Sequence, residues 1–516
     1  MASFKFDEIP YLDKMSAVFG PFDPDCEALK KDTRTLNDKQ REHNKVEPSI
    51  EAAIERSGLC DGKTISFHHH FRNGDFVVNM VLDTIARMGF RNLTVAASSL
   101  NEIHEPLIKH IQNGVVTHIE TSGMRGKLAD AVSQGLMDFP VIFRSHGGRA
   151  AAIETGELHI DVAFLGASTS DPYGNANGYS RESEDDGTSC GSLGYAKMDA
   201  MHADHCIIIT DTIVPFPNAP FGIPESQVNS VVKVDKVGDA NKIGSGATRF
   251  TTNPKELLIA QTASYVIENS GYFYNGFSMQ MGSGGASLAV ARYIRERMLE
   301  KNIKARFALG GITGQIVEMH EEGLIQRILD VQSFDKVAAQ SLKNNRFHQQ
   351  IDASYYASYL NRGAAVNQLD FVVLSAMEVD TDFNVNVLTG SNGVIRGAIG
   401  GHPDAAAGAS MTVVVTPLMR GRIPCVLGRV NTIVTPGRTV DVVVTDQGTA
   451  VNPNRPELLE RFRKAGCIEL VSIEELKDRA ERLCGKPAPN DYDDKIVGLS
   501  LYRDNTVIDV IRKVKA

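Results

Sequence analysis

The sequence predicts an α/β protein built from two tandem, duplicated domains with mainly parallel sheets. Three observations carry that expectation. The 516 residues exceed the size at which a single hydrophobic core stops growing. Short apolar strands alternate with helical patterns along most of the chain, the signature of a parallel sheet covered by helices. Blocks of sequence also recur in order at nearly one spacing, which marks a duplicated unit.

The clearest repeat sets DVAFLGASTSDPYGNANG, starting at Asp161, over DFVVLSAMEVDTDFNVNV, starting at Asp370. At that offset Ala167 meets Ala376, Asp171 meets Asp380, Asn175 meets Asn384 and Asn177 meets Asn386. Downstream, GSLG (Gly191 to Gly194) meets GAIG (Gly397 to Gly400), and CIIIT ending at Thr210 meets TVVVT ending at Thr416, after a short loop deletion. Upstream, SFHHHFRNGDFVVNMVLDTIARM overlies FSMQMGSGGASLAVARYIRERM, bringing Gly74 onto Gly284 and Arg87 onto Arg297. Generic strand and helix likeness does not require shared Asp and Asn-x-Asn positions. Those positions, present in both copies, are expected to serve the fold rather than catalysis.

Residues 1–45 read as a polar N-terminal arm outside the repeat. The first domain spans 46–240, with strands over 63–67, 93–97 and 162–165 and a helix over 75–88 that Gly89 ends. The second spans 241–516, with strands over 277–281, 307–309, 371–374 and 413–415 and a helix over 286–300. It is expected to finish in helices, one of them opened by Ser472 with Glu475 and closed by Gly485 and Pro487. Ligands of open α/β sheets bind outside the carboxyl ends of the strands, so the active site is expected in the cleft between the two domains.

Composition narrows the partners. Lys and Arg number 54 against 63 Asp and Glu, a net charge of −9 with no block of one sign, so a nucleic-acid footprint is missing. The seven cysteines (Cys26, Cys60, Cys190, Cys206, Cys425, Cys467, Cys484) are scattered and include no CxxC, which argues against a disulfide framework and a zinc ribbon. The apolar runs are too short to cross a bilayer, and no apolar segment follows a basic start. A cytoplasmic protein without membrane or nucleic-acid partners is expected.

Two kinds of turn carry candidate chemistry. His68, His69, His70 and Arg72 stand where the first strand of copy one turns into a helix, a donor-rich pocket suited to carboxylates, with Arg72 able to bind one bidentately. Metal binding competes, because His68 and His70 share a face in an extended chain, yet no Glu, Asp or Cys completes a customary ligand set. Packing or helix capping accounts equally well for at least one histidine. In copy two, Gly282, Gly284 and Gly285 sit in Met281-Gly-Ser-Gly-Gly, where glycines let a ligand approach N–H groups at a helix start. The second glycine loop, Gly397-Ala-Ile-Gly400-Gly401, precedes His402-Pro-Asp404. Its paired amides suit a carbonyl oxygen that becomes an oxyanion.

The succession GSGGASLAVARYI, SAMEVDTDFNVN and GAIGGHPDAAAGA resembles the coenzyme A transferase superfamily, and DGKTISFHHHFRNGD narrows the resemblance to its citrate lyase α-subunit branch. It runs from about residue 45 to the C-terminus. The resemblance implies an acyl exchange in which citrate replaces acetate on an acyl carrier. Acetyl-S-acyl carrier protein and citrate give citryl-S-acyl carrier protein and acetate, and a citryl lyase (β) subunit then cleaves the citryl group. It implies no cofactor or metal on this chain. The phosphopantetheine-type arm, a dephospho-CoA derivative, belongs to the acyl carrier (γ) subunit, with acetyl-CoA as a surrogate. Taken with the donor-rich turn and the glycine amides described above, that reaction makes Gly400 and Gly401 the expected catalytic residues, His68, His69, His70 and Arg72 the expected citrate ligands, and Gly282, Gly284, Gly285 and Gly397 the expected receivers of the thioester and its arm. Alternatives are a transferase acting on free coenzyme A, a scaffold subunit without activity, and a metal-dependent hydrolase built on the histidines. Many relatives carry a nucleophilic glutamate at a position that matches Gly310 here. With no acid there, the resemblance points to direct attack by a citrate carboxylate through an anhydride, unless Glu318 or Glu378 takes the glutamate's place.

Overall fold

The computed structural model describes Pro10 and residues 44–179, 189–244, 251–282 and 284–515. The expected N-terminal arm lies almost wholly outside the described residues, as does Cys26.

The first sheet takes β1 (Val46–Glu47), β2 (Thr64–Phe67), β3 (Leu93–Ala97), β4 (Val116–Thr121), β5 (Val141–Phe143), β6 (Val162–Gly166), β7 (His205–Thr210) and β8 (Ser230–Lys233). The second takes β9 (Phe277–Met281), β10 (Ala305–Ile312), β11 (Ile328–Ser333), β12 (His348–Gln350), β13 (Phe371–Ser375), β14 (Met411–Val415), β15 (Val442–Thr445) and β16 (Gly448–Val451). In space the strands run β1-β8-β7-β6-β2-β3-β4-β5 and β16-β15-β14-β13-β9-β10-β11-β12. All these neighbours are parallel except β15 and β16. With β2 set on β9, seven strands of each sheet (β2 to β8 and β9 to β15) take the same order, so the duplication in the sequence is a duplication of topology, while the flanking strands differ: β1 is parallel to β8 and β16 antiparallel to β15. The strands are buried apolar runs such as Ile207, Ile208, Ile209 and Val413, Val414, Val415, as parallel strands covered on both faces require.

The repeated polar positions hold loops together. Asp171 accepts from the N–H groups of Tyr173, Gly174 and Asn175, and Asp380 does the same for Asp382 and Asn384.

The C-terminal region differs from expectation. Helices Pro456–Ala465 and Ile473–Cys484 are present, and Ser472 Oγ accepts from Glu475 N–H at 3.1 Å. The chain does not finish there. A hairpin of β17 (Tyr492–Leu501) and β18 (Val507–Val514) returns to the first sheet, where Gly498 pairs with Val141 on β5. The charged start of β17, Asp493, Asp494 and Lys495, hides the strand pattern, while Val497, Leu501 and Ile511 supply the buried face. The hairpin covers an edge that β5 would otherwise leave open. Among the described residues no helix is long and apolar enough to cross a membrane.

Candidate functional site

The strands of both sheets end on one cavity of about 360 Å³, lined from both halves. Its walls are the turns that lead into helices α1 (Val77–Met88), α2 (Gly126–Ser133), α3 (His146–Thr155), α4 (Gly285–Lys301) and α5 (His402–Gly408). The turns into α1 to α4 each follow a strand of a sheet, so their polar residues are held at fixed positions over it, while the turn into α5 ends a loop over residues 387–401.

One wall is cationic. The Arg72 guanidinium lies over the Phe334 ring, 5.0 Å from its centre, and its buried Nη1 has no hydrogen-bond partner among the described residues. Burial and the nearby Arg125 bring its pKa down to about 10, which leaves it protonated at neutral pH. Arg125 precedes α2 and is likewise lowered by burial. Asn101 Nδ2, also buried and unpartnered, lines the same cavity. Arg396 and Arg420 complete four arginines, and among the described lining residues there is no aspartate, glutamate or cysteine.

The three histidines of the first turn separate. His69 faces the cavity, with Nδ1 hydrogen-bonded to Ser98 Oγ and its ring stacked on Tyr195 and His146. His68 points behind the wall, its Nε2 2.7 Å from Asp199 Oδ2, and His70 stacks on His68. Neither lines the cavity. Asp199 also takes both terminal nitrogens of Arg149, at 2.7 and 2.8 Å. Burial works to raise its pKa, but Arg149 and His68 outweigh burial and hold it below the ordinary range. Burial lowers His69, and brings His70 and His146 down to about 3, so the rings that face the cavity are neutral donors or acceptors and the arginines alone supply positive charge.

The opposite wall is the loop from Gly397 to Gly401, clamped to the first half. Met124 N–H donates to Gly397 O, Ile399 N–H to Ser122 O, and His146 N–H to Gly400 O. Gly400 has φ 57°, a left-handed conformation that disfavours side chains. A Cβ at Gly401 would lie 2.3 Å from Tyr356 Oη. Among the described residues no acceptor engages the N–H of Gly400 or of Gly401. Asp404 on α5 secures the arrangement, accepting from Ser145 Oγ and Gly147 N–H at 2.9 Å each. Burial raises its pKa to about 6.

Gly282 and Gly284 line the cavity, and Gly285 does not. A Cβ at Gly284 would fall 2.2 Å from Ser375 Oγ, and one at Gly397 would fall 2.0 Å from Val387 O. Gly310 has φ 104°, and a Cβ there would meet Gln280 at 3.0 Å, while one on Gly311 would strike the Phe334 ring. Glu318 is exposed and Glu378 is tied to Asn386 and Asn431, and neither lines the cavity. Among the described residues, the group with metal-ligand spacing is His159, Asp161 and Asp204, outside the cavity, where Lys63 already pairs with Asp161.

Sequence reasoning missed Asn101, Arg125, His146, Gln280, Tyr356 and Arg420. Arg125 and His146 were findable, since each follows a strand at the end where ligands bind. Gln280 is a polar residue in the buried strand β9, a second usable signal. Tyr356 comes from a connecting helix and left no local pattern.

Comparison with known proteins agrees with this geometry. The family described as "Citrate lyase, alpha subunit (CitF)" matches residues 43–514. The citrate lyase alpha chain of Escherichia coli (strain K12) is 55% identical over 482 residues, covering 93% of each chain. That of Haemophilus influenzae is 54% identical over 492 residues, covering 95% of this chain and 96% of the relative. A crystal structure from Streptococcus mutans, described as an alpha subunit of citrate lyase in complex with citrate, superposes with a TM-score of 0.89 at 57% identity, covering 92% of each chain. A Pseudomonas malonate decarboxylase shares the fold at 15% identity, with a TM-score of 0.63 over 87% of this chain and 89% of that one. With a family model that matches residues 43–514 and relatives 54–55% identical over more than nine-tenths of its length, the chain belongs to the citrate lyase α-subunit family.

Proposed function

We propose that this chain transfers an acyl carrier from acetate to citrate, converting acetyl-S-acyl carrier protein and citrate to citryl-S-acyl carrier protein and acetate as the first step of citrate cleavage. The observation that carries the reading is a cavity whose described lining has four arginines and no acid and includes two glycines, Gly400 and Gly401, whose N–H groups no described acceptor engages. Such a lining favours a polyanion on one side and a developing oxyanion on the other.

In the proposed reaction Arg72, Arg125 and Asn101 hold the carboxylates of citrate, with His69 beside them. One carboxylate oxygen attacks the thioester carbonyl carbon. The oxyanion forms against the N–H groups of Gly400 and Gly401, and collapse expels the carrier thiolate and leaves an acetyl–citryl anhydride. The thiolate then attacks the citryl carbonyl, the anhydride C–O bond breaks toward acetate, and citryl thioester results without net proton transfer. Holding both reactants in one cavity supplies much of the rate. The arm of the carrier enters past Gly282 and Gly284, and the carrier itself and a citryl-cleaving subunit are the partners.

The test is acetate release by the purified chain from acetyl-S-acyl carrier protein, or acetyl-CoA as surrogate, on addition of citrate. Release with citrate and not without it supports the reading. Thioester hydrolysis independent of any acid overturns it.

A further inference from the structure

We infer that Gln280 reads the tertiary hydroxyl of the acceptor acid, and so makes this cavity selective for a hydroxylated tricarboxylate over its deoxy analogue. The inference rests on the proposed transfer to citrate and adds a specificity residue to it.

Among the described residues, three lining side chains carry a fully buried polar atom without a partner: Arg72 Nη1, Asn101 Nδ2 and Gln280 Oε1. The first two are donors and suit carboxylates. Gln280 Oε1 is an acceptor, and a carboxylate has nothing to give it. At neutral pH a citrate trianion has one O–H donor, its hydroxyl.

Gln280 also stands where that hydroxyl belongs. It is 7% exposed, near the carboxyl end of β9, and its Nε2 donates to Tyr356 Oη at 3.0 Å. Tyr356 Oη in turn abuts Gly401 in the wall assigned to the thioester oxygen. On the other side Gln280 packs beside Gly310, next to Gly311, against which the Phe334 ring lies under Arg72. The orphan acceptor therefore sits between the cation that holds one carboxylate and the loop where another attacks. The carbon joining those carboxylates in citrate bears the hydroxyl. In this arrangement the amide nitrogen is spent on Tyr356 Oη, which leaves the oxygen as the end of Gln280 without a described partner.

A site built to pair a substrate hydroxyl rejects the analogue lacking it, because the buried acceptor is then left unpaired. The experiment compares citrate with propane-1,2,3-tricarboxylate, by calorimetric binding and by transfer from acetyl-CoA, in wild type, Gln280→Met and Tyr356→Phe. Wild type is expected to favour citrate by about tenfold to a hundredfold. Gln280→Met should weaken citrate by that factor, leave the deoxy acid within about twofold, and leave the KM for acetyl-CoA unchanged. Tyr356→Phe, which frees the amide without removing it, should lose part of the discrimination.

Equal weakening of both acids overturns the inference in favour of packing. Retained discrimination overturns it too, and a raised KM for acetyl-CoA alone assigns Gln280 to the carrier arm instead. If Gln280→Met fails to fold, the Tyr356→Phe discrimination decides. Should wild type bind citrate selectively and lose selectivity in the variants, yet transfer nothing, the proposed transfer fails and the Gln280 assignment stands.

Discussion

The backbone N–H of His146 donates to the carbonyl oxygen of Gly400 at 2.9 Å, joining the helix that starts in the first half to the glycine loop of the second. Asp404 sits beneath this contact and takes Ser145 Oγ and Gly147 N–H from the same helix start. The two halves are thus fastened at the glycine loop itself, so its geometry depends on a buried carboxyl that does not line the cavity.

Asp404→Ala should therefore lower stability by about 1–3 kcal/mol, the cost of stranding buried donors. Turnover should fall more than citrate binding, because Gly400 and Gly401 lose their register while the arginine wall stays. Thermal melts and separate kcat and KM values measure both. A parallel loss of citrate binding would place the effect in the wall and contradict this account.

Replacing Arg72 by Lys should raise the KM for citrate about tenfold or more and leave the melting temperature nearly unchanged. The guanidinium offers a planar fork stacked on Phe334, and an ammonium group offers a point charge with no stacking face. Steady-state kinetics against citrate decide the matter. An unchanged KM would remove Arg72 from the carboxylate site.

Acid should destabilise this protein well above ordinary carboxylate pKa values. Burial holds His70 and His146 near 3 and His402 near 4 in the folded chain, against about 6.5 when unfolded. Between those limits the unfolded chain binds more protons, so stability falls as pH drops, by about 1.4 kcal/mol per pH unit for each such histidine. Asp404, raised to about 6, works the other way: the folded chain holds its proton, and stability falls as pH rises from about 4 to 6. Three histidines outweigh one aspartate. Denaturant midpoints from pH 7.5 to 4.5 should decline, and more gently in His70→Gln. A flat profile would contradict the buried neutral histidines.

How much of this was legible in the sequence depends on range. The repeat foretold the topology because Asp171 and Asp380 tie equivalent loops, and tying a loop is a local task that leaves a local pattern. The histidine turn foretold a polar wall, but the sequence does not say which ring faces the ligand. The turn after β2 sends His69 inward and gives His68 and His70 to Asp199 and to each other, and Asp199 is remote in sequence. Arg125, His146 and Tyr356 gain their meaning only when elements far apart in sequence converge. The hairpin β17–β18 was hidden for a similar reason, since its pairing partner β5 lies some 350 residues earlier.

The last prediction concerns the absent nucleophile. With Gly310 and Gly311 at this position, the described lining residues include no carboxyl, and the space beside the two glycines is taken by Gln280 and Phe334. Glu318 is exposed on a helix, and Glu378 is held by Asn386 and Asn431. No acyl or thioester adduct of the protein should then form, and donor and acceptor must be bound together. Incubation with acetyl-CoA alone, trapping with borohydride or hydroxylamine and peptide mass spectrometry should yield unmodified carboxylates. Initial-rate plots against both substrates should intersect, where a covalent route gives parallel lines and exchanges label with one substrate absent. Modification of Glu318, Glu378 or any other acid would show that a side chain reaches the thioester by a movement this structure does not contain, and would replace direct attack by a two-step covalent transfer.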